Sequence, residues 1–154
     1  MKTVRVLSVL IALTVLFYGT AMARSGSPIK TAKGFMEDTW GSQFLKKGPE
    51  KYFCASEKPR MKVILEAKRE RQKRMMKELK KKKGRKYIKA VHYDMSQLKY
   101  RVDGEKNERA IVNVTGVIYF RDKDKIIRTF PLKRRFLLIV EKGKWKICDF
   151  QIDE

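Results

Sequence analysis

Gly84 divides the chain into two parts with different hydrophobic periods, and that change restricts the fold more than any other feature. Before it, apolar residues recur roughly every three to four positions, the spacing of one helix face. After it they alternate, as on a strand with one buried face. Residues 86–102, 108–121, 126–141 and 144–153 are rich in Val, Ile, Tyr and Phe and read as strands. Asp103-Gly104, Asp122-Lys123-Asp124-Lys125 and Lys142-Gly143 separate them. Parallel neighbours need crossovers of roughly a dozen residues or more, so these short polar connections predict a four-stranded antiparallel meander.

In the second strand Ala110, Val112, Val114, Ile118 and Phe120 share a face, as do Ile126, Phe130, Leu132, Phe136, Leu138 and Val140 in the third. The first strand changes phase, from Tyr87, Val91, Tyr93 and Met95 to Leu98, Tyr100 and Val102. A one-residue slip swaps the faces of a strand, so a bulge or bend is expected near Ser96-Gln97. The last strand slips likewise, from Trp145 and Ile147 to Cys148, Phe150 and Ile152. Bulges bend strands, and the sheet is expected to curve.

Three helices are expected ahead of the sheet. From Pro28 to Lys47, Ala32, Phe35, Met36, Trp40, Phe44 and Leu45 keep helical spacing. Gly48-Pro49 ends that segment, and residues 49–57 predict a short second helix opened by proline. Lys58 to Lys83 predicts a long third helix with the apolar stripe Met61, Ile64, Leu65, Met75, Met76 and Leu79, interrupted at Lys68 and Gln72. Glu70–Arg74 and Glu78–Lys82 have the spacing of stabilising pairs. Lys80 to Lys83 meet the negative end of the helix dipole, and Gly84 is the stop. The expected class is α+β: three N-terminal helices, the third long and basic, packed on a curved four-stranded antiparallel sheet.

Lys2 and Arg5, the apolar run Val6 to Tyr18, and Ala21-Met22-Ala23 form the three parts of a secretory signal peptide. Cleavage is expected between Ala23 and Arg24, leaving a short linker over 24–30 and one domain over 31–154. That places the product outside the cytoplasm, in the periplasm or beyond, with no membrane span after processing. The alternative is an inner-membrane anchor formed by residues 4–23, although an apolar core of 13 residues falls short of the roughly 20 needed to span. Cys54 and Cys148 are too far apart in sequence for a CxxC site, and in an oxidising compartment they can form one disulfide.

The mature chain would carry 36 basic and 17 acidic residues. Residues 58–89 hold 16 of the former and three of the latter, a net +13 within 32 residues. Self-repulsion on that scale opposes folding, and a polyanionic partner gives a physical reason to retain it. The expected anion-binding surface comprises Lys68, Arg69, Arg71, Lys73, Arg74, Lys77, Lys80, Lys81, Lys82 and Lys83. Outside the cytoplasm the candidates are lipid headgroups and envelope polysaccharide. Nucleic acid is disfavoured, because the run lacks interleaved aromatics for base stacking. Self-association stays open.

Gly143-Lys144-Trp145-Lys146-Ile147, followed by Cys148-Asp149-Phe150, resembles the closing hairpin of the nuclear transport factor 2-like superfamily. Ala110-Ile111-Val112-Asn113-Val114 is similar to that family's second long strand, and the element order over about 31–153 agrees. The likeness is greatest to exported bacterial members related to lumazine-binding-like proteins. It implies a cone-like fold with a cavity between sheet and helices, used in different members as an enzyme pocket, a ligand site or an assembly surface.

Within that frame His92 and Asp94 share a strand face and could act as a base with its orienting carboxylate, with Tyr87, Tyr93 or Tyr100 as proton donors. Only one histidine is present, and no metal-ligand or cofactor pattern accompanies it. Binding or scaffolding at the cell envelope is therefore the leading expectation. A pocket enzyme of isomerase, dehydratase or hydrolase type is the alternative, and a subunit of an envelope or secretion assembly a third.

Overall fold

A computed structural model describes residues 26–40 and 48–152. The signal segment, the Ala23–Arg24 cleavage point, Phe44 and Leu45 lie outside the described residues. Helix α1 spans Pro28–Trp40 and helix α2 spans Lys58–Ala90, with a single 3₁₀ turn at Pro49–Tyr52 between them. Five strands follow: β1 (Val91–Asp94), β2 (Lys99–Lys106), β3 (Arg109–Asp122), β4 (Lys125–Glu141) and β5 (Lys144–Ile152). They form one curled antiparallel sheet in the order β1-β3-β4-β5, with β2 also paired to β3.

The α+β class holds, but only two α-helices are seen among the described residues, not three. The segment expected to form a second helix makes one turn and stops, because Phe53 turns extended (φ −93°, ψ 153°) and bridges to Ile147 of β5. The Cys54 N–H donates to the Ile147 carbonyl at 2.9 Å. A tertiary contact thus wins over local helix formation. Helix α1 starts at Pro28, where the apolar spacing begins, and its start is capped by the Ser27 hydroxyl accepting from the Lys30 N–H at 3.1 Å.

Helix α2 breaks where expected, at Gly84 (φ 84°, ψ 170°), then resumes to Ala90, so the first strand starts at Val91 and not at residue 86. That strand is broken in two. β1 pairs with residues 119–122 of β3 and β2 with residues 109–115, so the chain bends between them across Ser96-Gln97. Gly116 of β3 (φ 138°) makes room for the bend: a Cβ there would sit 2.3 Å from the Gln97 carbonyl oxygen. Asp103-Gly104 is not the β2–β3 turn. It lies within β2 at a register shift, and the turn is Asn107-Glu108, both with positive φ. The last strand bulges at Cys148, where pairing passes from Leu137↔Asp149 to Leu138↔Ile147.

The core fills the concave side of the sheet. Phe35 of α1 makes edge-on contacts with Phe53 and Phe136, at centroid distances of 5.1 and 5.9 Å. Met61 and Leu65 of α2, Val112, Val114 and Ile118 of β3, Leu138 of β4 and Trp145 and Ile147 of β5 complete it. Cys54 and Cys148 are disulfide-bonded, with Cα atoms 5.0 Å apart and a sequence separation of 94. The bond ties the entry of α2 to the closing strand.

Candidate anion-binding site

The inward stripe of α2 runs Met61, Leu65, Lys68, Arg69, Gln72, Met76 and Leu79, all buried or half-buried. At about 100° per residue these positions lie on one face. Ile64 and Met75, expected in the stripe, are instead 46% and 45% exposed. Lys68 and Arg69 therefore leave the outer surface on which they were expected. Reading the stripe through hydrophobic residues alone skewed it outward.

Arg71, Lys73, Arg74, Lys77 and Lys80 to Lys83 are exposed. They wrap the outward part of the helix. Among the described residues Lys73 alone of these eight has an ion pair, to Glu70 at 2.8 Å, an i,i+3 contact in place of the expected Glu70–Arg74 pair. Hydrogen bonding from Lys73 holds the Glu70 carboxyl below its usual range.

His92 and Asp94 point to the convex side, away from the neighbouring Val91 and Tyr93, which are turned into the concave side. Asp94 does not orient His92. One of its oxygens accepts from the Ser96 N–H at 2.9 Å and the other from Arg121 Nε at 2.9 Å. Those bonds, the Ser96 one foremost, lower its pKa. The His92 ring meets the Ala90 carbonyl oxygen at 3.4 Å. The tyrosines are dispersed. Tyr87 lies in the helical segment after Gly84, with Lys83 Nζ 5.8 Å from its ring centroid. Tyr100 lines a separate cleft with Lys33, Glu37 and Leu98, where burial and then Glu37 push its phenol up to about 12. Tyr93 faces the concave side among aromatic neighbours.

Around Tyr93 the packing is aromatic and cationic together. Trp40, the last residue of α1, meets Tyr93 edge-on at 5.5 Å and Phe130 at 6.0 Å. Lys68 Nζ sits 4.5 Å over the Trp40 ring, and the Arg134 guanidinium carbon 5.9 Å from it. Arg134 belongs to the inward file of β4, between Leu132 and Phe136. Its Nη1 reaches only the Met36 sulfur, at 3.9 Å, while its Nε and the indole Nε1 of Trp40 are buried without a partner among the described residues. No carboxylate pairs with Lys68 or Arg134 among those residues. Burial, with Arg134 beside it, pulls the Lys68 ammonium down to about 8.

Arg134 was missed in the sequence because its neighbours on the same face are apolar: Phe130, Leu132, Phe136 and Leu138. A charge breaking such a file was the available signal. Lys68, interrupting the helix stripe, was its counterpart.

Cys54, Glu141 and Cys148 bring three potential ligand atoms within 4.8 Å of one another. The disulfide commits both sulfurs, and the Glu141 carboxylate accepts from the Ala55 N–H at 3.1 Å. The Asn113 amide donates to the Asp103 carboxylate from within the sheet. No helix among the described residues is long and apolar enough to cross a membrane. Compared with protein-family models, curated proteins and solved structures, the chain matches none.

Proposed function

We propose that this chain is an exported, non-enzymatic binding or scaffolding domain of nuclear transport factor 2-like fold, acting at the cell envelope through the outer surface of α2. The observation that carries the reading is the run of exposed cations from Arg71 to Lys83, of which only Lys73 is ion-paired among the described residues. Seven cations without an ion pair among the described residues leave a field that an external polyanion can neutralise. The stretch from Arg71 to Lys83 covers roughly 18 Å of helix axis, enough to meet several phosphates or uronates. Each cation near an anionic surface contributes about 1 kcal/mol.

Binding of this kind is salt-sensitive, since the Debye length falls from about 10 Å at 0.1 M to about 3 Å at 1 M. The test is co-sedimentation with anionic vesicles, neutral vesicles and anionic polysaccharide across a salt series. Binding to the anionic materials alone, lost at high salt and lost when Lys73, Arg74, Lys80 and Lys81 are changed together to Glu, supports the reading. Equal binding to neutral vesicles, or none at low salt, overturns it.

A further inference from the structure

We propose that Trp40, Lys68 and Arg134 form a second, inward-facing site that binds one oxyanion, a carboxylate or phosphate. Three observations converge on it. First, two cations from different elements, α2 and β4, flank a single indole at 4.5 and 5.9 Å. Second, the polar groups brought together there are donors: the Lys68 ammonium, the Arg134 guanidinium and the Trp40 N–H. Arg134 Nε and Trp40 Nε1 are buried with no acceptor among the described residues. Third, both cations occupy core positions, in the inward file of β4 and the inward stripe of α2, where an apolar residue of similar size would cost less.

Two like charges half-buried around one ring repel each other and lose water. Neither effect is offset by a carboxylate of the described chain. An oxyanion would offset both, accepting bidentately from the guanidinium and singly from the ammonium and indole. The arriving negative charge would raise the Lys68 pKa from about 8 back toward its usual value. Phe130, Leu132 and Tyr93 lie beside the cluster, so the oxyanion can be a free ion or the head of an amphipathic acid whose body follows the aromatic wall. The site is separate from the outer surface of α2, and each can fail without the other.

The test follows the two indole N–H resonances of isotopically labelled protein, assigned with Trp40→Phe, during titration with acetate, inorganic phosphate and octanoate at fixed ionic strength. The Trp40 resonance is expected to move saturably and that of Trp145 to stay. Lys68→Met and Arg134→Met are each expected to weaken binding at least tenfold, with the Trp145 resonance reporting that the fold is intact. Lys68→Gln serves where the methionine variant fails to fold. Octanoate saturating at a concentration at least tenfold lower than acetate and phosphate assigns the site to amphipathic acids. Comparable saturation by all three assigns it to a free oxyanion. The variant with four outer glutamates should bind octanoate like the parent. Absence of a saturable Trp40 shift, or a shift that survives both methionine variants, overturns the proposal.

Discussion

The two ends of the concave face solve the same packing problem with opposite chemistry. At one end Phe35, Phe53, Phe136 and Ile147 interlock, with the Cys54–Cys148 disulfide alongside. At the other, Trp40 packs against Tyr93 and Phe130 and carries Lys68 and Arg134 close to its ring. The first end is apolar and covalently clipped. The second places two charges where burial is unfavourable unless something neutralises them. The comparison teaches where stability and binding separate: the clipped end holds the helices to the sheet, and the cationic end gives up packing energy for a group that can bind.

The largest expected effect is at the clipped end. Reducing the disulfide, or replacing both cysteines with serine, removes a constraint over 94 residues, and the chain-entropy model gives about 4 to 5 kcal/mol for a loop of that size. Denaturant unfolding with and without reductant measures it. A loss below about 1 kcal/mol would mean that the aromatic packing alone holds that end.

Phe136→Ala should cost about 3 to 5 kcal/mol, as expected for a fully buried aromatic among close neighbours. Arg134→Met, two residues away on the same face, should leave stability unchanged or raise it, because an apolar side chain replaces a charge without an ion pair. Equal losses at the two positions would dissolve the contrast between the ends. Gly116→Ala tests the bend that gives the sheet its concavity. Its Cβ would meet backbone and not a movable side chain, so a loss of about 1 to 3 kcal/mol is expected in the same unfolding measurement.

The smallest effect is a pH dependence at the cationic end. Lys68 has a folded pKa of about 8 against a usual 10.5. Between those values the unfolded chain binds more protons than the folded one, so stability should rise with pH across that window. Below pH 8 both states are protonated and the penalty is fully present. With its remaining solvent contact taken into account, the gain is on the order of 1 kcal/mol across the window. Other lysines titrate near its upper edge, so the measured quantity is the difference between the parent and Lys68→Met. A flat difference from pH 7 to 10 would show that Lys68 is as hydrated folded as unfolded.

The period change at Gly84, the alternation in β3 and β4, the bend near Ser96-Gln97 and the slip in β5 were legible in the sequence, because each follows from side-chain spacing along one strand or helix. The turn at Asn107-Glu108 was not. Asp103-Gly104 carries the stronger local turn signal, and the pairing of Tyr100 with Val114 and of Lys106 with Arg109 overrode it. The 3₁₀ turn at Pro49–Tyr52 was misread for a related reason, since the Phe53–Ile147 bridge joins residues far apart in sequence. The outer cations of α2 were legible as charge density. Arg134 was passed over because a pattern sought through apolar residues does not register the polar one among them.

The sequence by itself determined the α+β class, the antiparallel sheet, the break at Gly84 and the concentration of cations in α2, since periodicity, connection length and composition are properties of neighbouring residues. The tertiary structure alone decided that Cys54 meets Cys148, that Asp94 serves Ser96 and Arg121 and not His92, and that Lys68 and Arg134 converge on Trp40. Those contacts join segments far apart along the chain or reorder bonds among near neighbours. Their free energy depends on which groups the folded sheet and helices remove from water together, and no local pattern encodes that.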